Sequence, residues 1–106
     1  MNLWDRVDIH EYRHVSEPVG PMLAANVPAH VYSMDSIQSL TVGIGWHIET
    51  TTRAILPADL GIDLRPLEHQ IVWRGQRWDV EGLPVWRRKH GRDHHQTVTL
   101  RRLEGL

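Results

Sequence analysis

The chain has 106 residues, enough for one hydrophobic core but not two. It contains no cysteine, which rules out disulfide staples and thiolate metal sites. Its formal net charge of −1 is too close to neutral for a dedicated duplex-binding protein.

That charge is unevenly spread. Residues 1–60 carry three basic and seven acidic residues, whereas residues 61–106 carry nine and six. Such polarity suits head-to-tail subunit contact or a mildly basic face. The opening MNLWDRVDIH lacks a cationic start followed by an apolar core, so no secretory signal is expected. No apolar run reaches the roughly 20 residues of a membrane helix.

In chain order, RVDIHEYR alternates, with Val7 and Ile9 on one side and Asp8 and His10 on the other, as a first strand should. VPAHVYSM reads as a second strand, and Pro28 near its start suits a sheet edge. SMDSIQSLTVGIGWHIE, Ser33 to Glu49, follows. Between Ser33 and Trp46 it has one acid (Asp35), no base and no proline, and its large aliphatics are Ile37, Leu40, Val42 and Ile44. It is too polar to span a membrane and is broken by Gly43 and Gly45, so it is expected to be a long loop between the second and third strands. TTTRAILP is β-branched and closed by Pro57, a third strand. ADLGIDLRPLE is a turn-rich connection punctuated by Gly61 and Pro66.

HQIVWRGQRWDVEG carries the clearest local signal. Gly75-Gln76 suits a two-residue turn of the Gly-first kind. That turn opposes Trp73 to Trp78, Arg74 to Arg77 and Ile71 to Val80. Ile71, Trp73, Trp78 and Val80 then share one apolar face, and Val72, Arg74, Arg77 and Asp79 share the other. After Pro84, RRKHGRDHH reads as a polar loop around Gly91, and QTVTLRRL closes the chain as a strand with Val98 and Leu100 in period two. No segment has a capped 3.6-residue stripe. Five or six short strands imply an all-β fold, a small antiparallel barrel or sandwich in a single domain spanning 1–106.

The candidate chemistry is thin. His90 and His94 stand four apart beside Asp93 and His95, but Gly91 interrupts them in a hairpin context, so a solvated turn is expected rather than a metal site. The Gly43–Gly45 stretch lacks the third glycine and following helix of a phosphate loop. Asp59 and Asp63 flank Gly61 without cation-loop spacing, as in an ordinary turn. No serine sits in an elbow motif. Trp86 with Arg87, Arg88, Lys89 and Arg92 has the ingredients to stack on and neutralise nucleic acid; the favoured reading is a basic hairpin tip that meets an acidic neighbour. No enzymatic activity and no cofactor are expected.

Taken in order, RVDIHEYRH, VPAHVYSM, TTTRAILPADLGIDL, HQIVWRGQRWDVEGLPVW and HHQTVTLRRLEG resemble the head-to-tail stopper, or head-closure, proteins of long-tailed bacteriophages. The fourth piece is similar to the family's hydrophobic-Gly-x-x-aromatic-x-Val-x-Gly-x-Pro run. Two stretches depart from the pattern. VSEPVGPMLAA is short and lacks the family's polar, Gly-rich hairpin, and the histidine run before the last strand has no counterpart.

The resemblance implies a small β-barrel that assembles with copies of itself into a ring below the portal and its adaptor. Such a ring closes the DNA channel after packaging and presents a docking surface to the tail, next to the tail-terminator ring. It belongs to the virion and is assembled in the host cytoplasm; DNA passes through without sequence recognition, and no membrane is involved. The resemblance also places Ser33 to Glu49 at the channel axis as a gate, with Asp35, Ile37, Leu40, Val42, Gly43, Ile44 and Gly45 as its residues. A segment without bases avoids holding phosphates, and its aliphatics, repeated about an axis, bury one another. The competing reading of this segment is a core strand or an interface arm. Trp46, Trp86, Arg87, Arg88, Lys89 and Arg92 are the expected contacts between subunits or rings, because so small a barrel has no room for five tryptophans in its core. The alternative functions are another joining protein of the same connector, such as an adaptor or tail-completion protein, and a nucleic-acid-binding barrel.

Overall fold

In a computed structural model, residues 5–41, 45–89 and 92–105 are described, with side chains described for 5–32, 49–86 and 95–102. The period-two alternation in the sequence becomes six strands: β1 (Asp5–Glu11), β2 (Met22–Thr41), β3 (Gly45–Pro57), β4 (His69–Trp73), β5 (Gln76–Lys89) and β6 (Arg92–Gly105). A single 3₁₀ turn, Ala58–Leu60, follows β3. The strands close into a barrel in the order β1-β2-β3-β6-β5-β4, with every neighbouring pair antiparallel. Closure removes the unpaired edges that a six-strand open sheet would present.

Each strand supplies one buried i, i+2 pair to the interior. These pairs are Val7 and Ile9, Val27 and Ala29, Ala54 and Leu56, Ile71 and Trp73, Trp78 and Val80, and Val98 and Leu100. Leu64, from the β3–β4 connection, is buried with them. The alanines on β2 and β3 leave room for the two indoles on β4 and β5, so large and small residues interleave. The expectations for Val7, Ile9, Val98 and Leu100 hold.

The β4–β5 hairpin corrects one detail. Its register pairs Trp73 with Gln76 and Ile71 with Trp78, so the turn residues are Arg74 and Gly75 rather than Gly75 and Gln76. Both have positive φ, 52° and 73°, the requirement of a type I′ turn, in place of the Gly-first turn expected. The shift is by two residues, so every side chain keeps its face. Trp73 and Trp78 are therefore diagonal neighbours in the core, with ring centroids 6.0 Å apart and planes tilted by 51°. Arg74 folds its guanidinium over the Trp73 ring at 4.6 Å.

β2 starts five residues before the expected strand. Asn26, at φ 57°, makes a bulge that shifts the pairing with β1, and Asp8 Oδ1 accepts from the Asn26 amide at 2.8 Å. This irregularity hides the start of the strand from a periodicity reading. Pro28 pairs with Arg6 of β1 and lies just before pairing with β3 begins at His30, so its missing N–H falls where β2 has only one neighbour.

Candidate functional site

Two hairpins outrun the barrel. Ser33 to Glu49, expected as a loop, is largely paired strand. β2 continues to Thr41 and β3 resumes at Gly45, in register from Asp35↔Thr51 to Thr41↔Gly45. The base of this arm gains a third strand, because β6 pairs Leu103 with Glu49, Glu104 with Ile48 and Gly105 with His47. The reason for the difference is main-chain pairing. Ser36 to Leu40 contains no glycine or proline to break a strand, and a hairpin satisfies N–H and C=O groups that an extended loop would leave to water. Of the candidate gate residues, Asp35, Ile37 and Leu40 lie on β2 opposite Thr51, Glu49 and Trp46, and Gly45 opens β3. Val42, Gly43 and Ile44 lie outside the described residues.

The second arm is the far end of β5 and β6. Trp86 pairs with Gln96, Arg87 with His95, Arg88 with Asp93 and Lys89 with Arg92, so this stretch is strand where a polar loop was expected. His90 and Gly91 lie outside the described residues. A two-residue offset at Gly82, φ 71°, redirects β5 as it leaves the barrel. Past it, Leu83 is 70% exposed, Val85 50% and Trp86 38%. Trp86 thus takes no part in the core, whereas Trp73 and Trp78 do. Trp4 lies outside the described residues, and so does the side chain of Trp46.

The arms are not brought together. β3 and β6 run antiparallel from His47↔Gly105, beside the first arm, to Pro57↔His95, beside the second. The arms therefore leave opposite ends of the barrel, and with them the molecule measures 50 × 27 × 22 Å.

A third feature lies on the outer wall. Two adjoining hollows, of about 540 and 280 Å³, share Tyr12, Asp79 and Arg101 and form one trough over β4, β5 and β6. Arg77 and Arg102 line one end, Arg101 lies between the two hollows, and the other end has Pro66, Leu67 and Gly82. Arg77 builds one wall, donating to the carbonyl oxygens of His14 at 3.3 Å and of Glu17. Gln70 Nε2 donates to Arg13 O at 3.0 Å and to Asp79 Oδ1 at 2.9 Å, which occupies the one carboxylate at the basic end. The sequence reading missed this trough, because its residues come from five separate segments with no shared motif. The only local hint is Leu67, a large apolar residue just after Pro66 in a turn-rich connection.

Among the described residues, no three His, Asp or Glu stand together as a metal site would require. No helix among them is long and apolar enough to cross a membrane. No protein-family model matches the chain, and no curated protein matches it.

Proposed function

We propose that this chain is a structural subunit of a bacteriophage head-to-tail connector, forming a ring that closes the DNA channel after packaging and docks the tail. The observation that carries this reading is a closed barrel with hairpin arms at its two opposite ends. A ring component between two other rings needs a rigid body and contacts above and below, and a barrel with two antipodal arms supplies both. The ordered sequence resemblance to the stopper family supports the same reading.

In this proposal the β2–β3 arm reaches the channel axis. Asp35 is its lone charge between Ser33 and Trp46, so the arm does not grip passing phosphates. Copies of the arm around the axis bury Ile37, Leu40, Val42 and Ile44 against one another, surface that would be a liability on a lone monomer. The β5–β6 arm, with Trp86, Arg87, Arg88, Lys89 and Arg92, makes the contact with an adjacent subunit or ring.

The test has two steps. A low-resolution image of labelled chain in a particle should place it in a ring beneath the portal; a location elsewhere rejects the connector reading. Filled, tailless heads are then made with Met34 to Gly45 deleted. They should lose DNA faster than the parent while the ring still forms. Equal retention with an intact ring rejects this arm as the gate.

A further inference from the structure

We infer that the outer-wall trough over β4, β5 and β6 is a docking groove for an extended peptide, acidic at one end and apolar at the other, contributed by a partner protein. This holds whatever the arms do, and it concerns a surface that neither arm includes.

Shape is the first argument. Along β5 the trough runs from Gln76, just past the Arg74–Gly75 turn, to Gly82. At about 3.3 Å per residue that is roughly 20 Å, the length of a six-residue extended segment. Its walls are built rather than accidental. Arg77 ties the 14–17 loop to β5, and the Tyr12 amide is held by Glu68 O at 3.0 Å.

Charge is the second argument. At the basic end Arg77 and Arg101 flank one carboxylate, Asp79, which accepts from Gln70. Arg101 meets Glu49 only at 3.9 Å with both side chains partly exposed, a loose pair that leaves most of its donors for another carboxylate. Nucleic acid fits less well. Glu81 lines the hollow at the other end and would repel a continuous row of phosphates.

Leu67 supplies the apolar contact. It is 76% exposed, borders the trough and holds φ 62°, where a non-glycine side chain is strained. A turn built for stability alone favours glycine there; an exposed leucine kept in that conformation offers an apolar contact.

The probe is a fluorescein-labelled, end-capped Glu-Asp-Glu-Ser-Val-Leu hexapeptide, with its reversed sequence because the polarity of the groove is not set. One order should bind the whole chain with a Kd of about 10–100 μM. Amide NMR shifts should cluster at Gly75, Gln76, Asp79 and Gly82. Arg101→Glu, on an exposed side chain, should weaken binding about tenfold by exchanging attraction for repulsion. Leu67→Gly should weaken binding without lowering Tm, since it relieves the strained turn. The proposal is overturned if a Lys-for-acid peptide or a short oligothymidylate binds as well as the acidic one, if the shifts map away from the trough, or if both variants bind like the parent.

Discussion

At Gly20 and Gly75 two glycines are required for different reasons. A Cβ on Gly20 would run into the Glu11 carbonyl oxygen and meet Arg13 Cγ at 3.1 Å. Gly20 O also lies 2.8 Å from His10 Nδ1, which must carry the proton because a carbonyl only accepts. Gly20→Ala should therefore cost roughly 1–3 kcal/mol in urea unfolding, as overpacking against main chain does. Gly75 has open space around it but a φ of 73°, so Gly75→Ala should cost about 1–2 kcal/mol through backbone strain alone. Trp78 tests the core. Its ring is 4% exposed, and Trp78→Ala should cost about 3–5 kcal/mol. Its indole Nε1 is buried without a hydrogen-bond partner. Trp78→Phe loses volume but also removes an orphan donor worth about 1–3 kcal/mol, so it should come out close to neutral. A phenylalanine variant as unstable as the alanine one would show that the ring's shape outweighs its unmet donor.

At the scale of elements, the two arms make separable predictions. Arg87→Glu, Arg88→Glu and Lys89→Glu together should block assembly at low salt. Single exposed pairs contribute only about 0–1 kcal/mol each, so any one reversal should have a small effect. Intact assembly of the triple variant in low-salt sedimentation would show that the arm's basic tip is not a contact. What the sequence revealed of these elements follows from what alternation encodes. It marks which side of a strand is buried, and it did so for β1, β6 and the β4–β5 hairpin, where even a register two residues off left Ile71, Trp73, Trp78 and Val80 facing inward. It is silent where the sequence does not alternate. Ser33–Thr41 and Arg87–Lys89 are strands by main-chain pairing, without a period-two pattern of apolar residues, and so read as loops. The trough is invisible for another reason: Tyr12, Leu67, Arg77 and Arg101 meet only because the barrel closes.

At the scale of the molecule, the arms set the dimensions. A globular chain of this length has a radius of gyration of about 13 Å, whereas this one has 14.5 Å over its Cα atoms. X-ray scattering from a dilute sample should give the elongated particle, and the apparent size should grow with concentration as copies associate. Scattering that stays monomeric at high concentration and low salt would count against self-assembly without added neighbours.

The long pairing of β3 with β6 has a mechanical consequence. One arm hangs from β2 and β3, the other from β5 and β6, and the register between β3 and β6 continues from His47↔Gly105 to Pro57↔His95. Tension applied between the tips passes across this seam. Its hydrogen bonds lie perpendicular to the strands, so the load shears them all together instead of peeling them one by one. Pulled along its length, the protein should behave as a spliced cable with its splice in the middle, yielding late and at once; pulled from both strands of a single tip, it should unzip at much lower force.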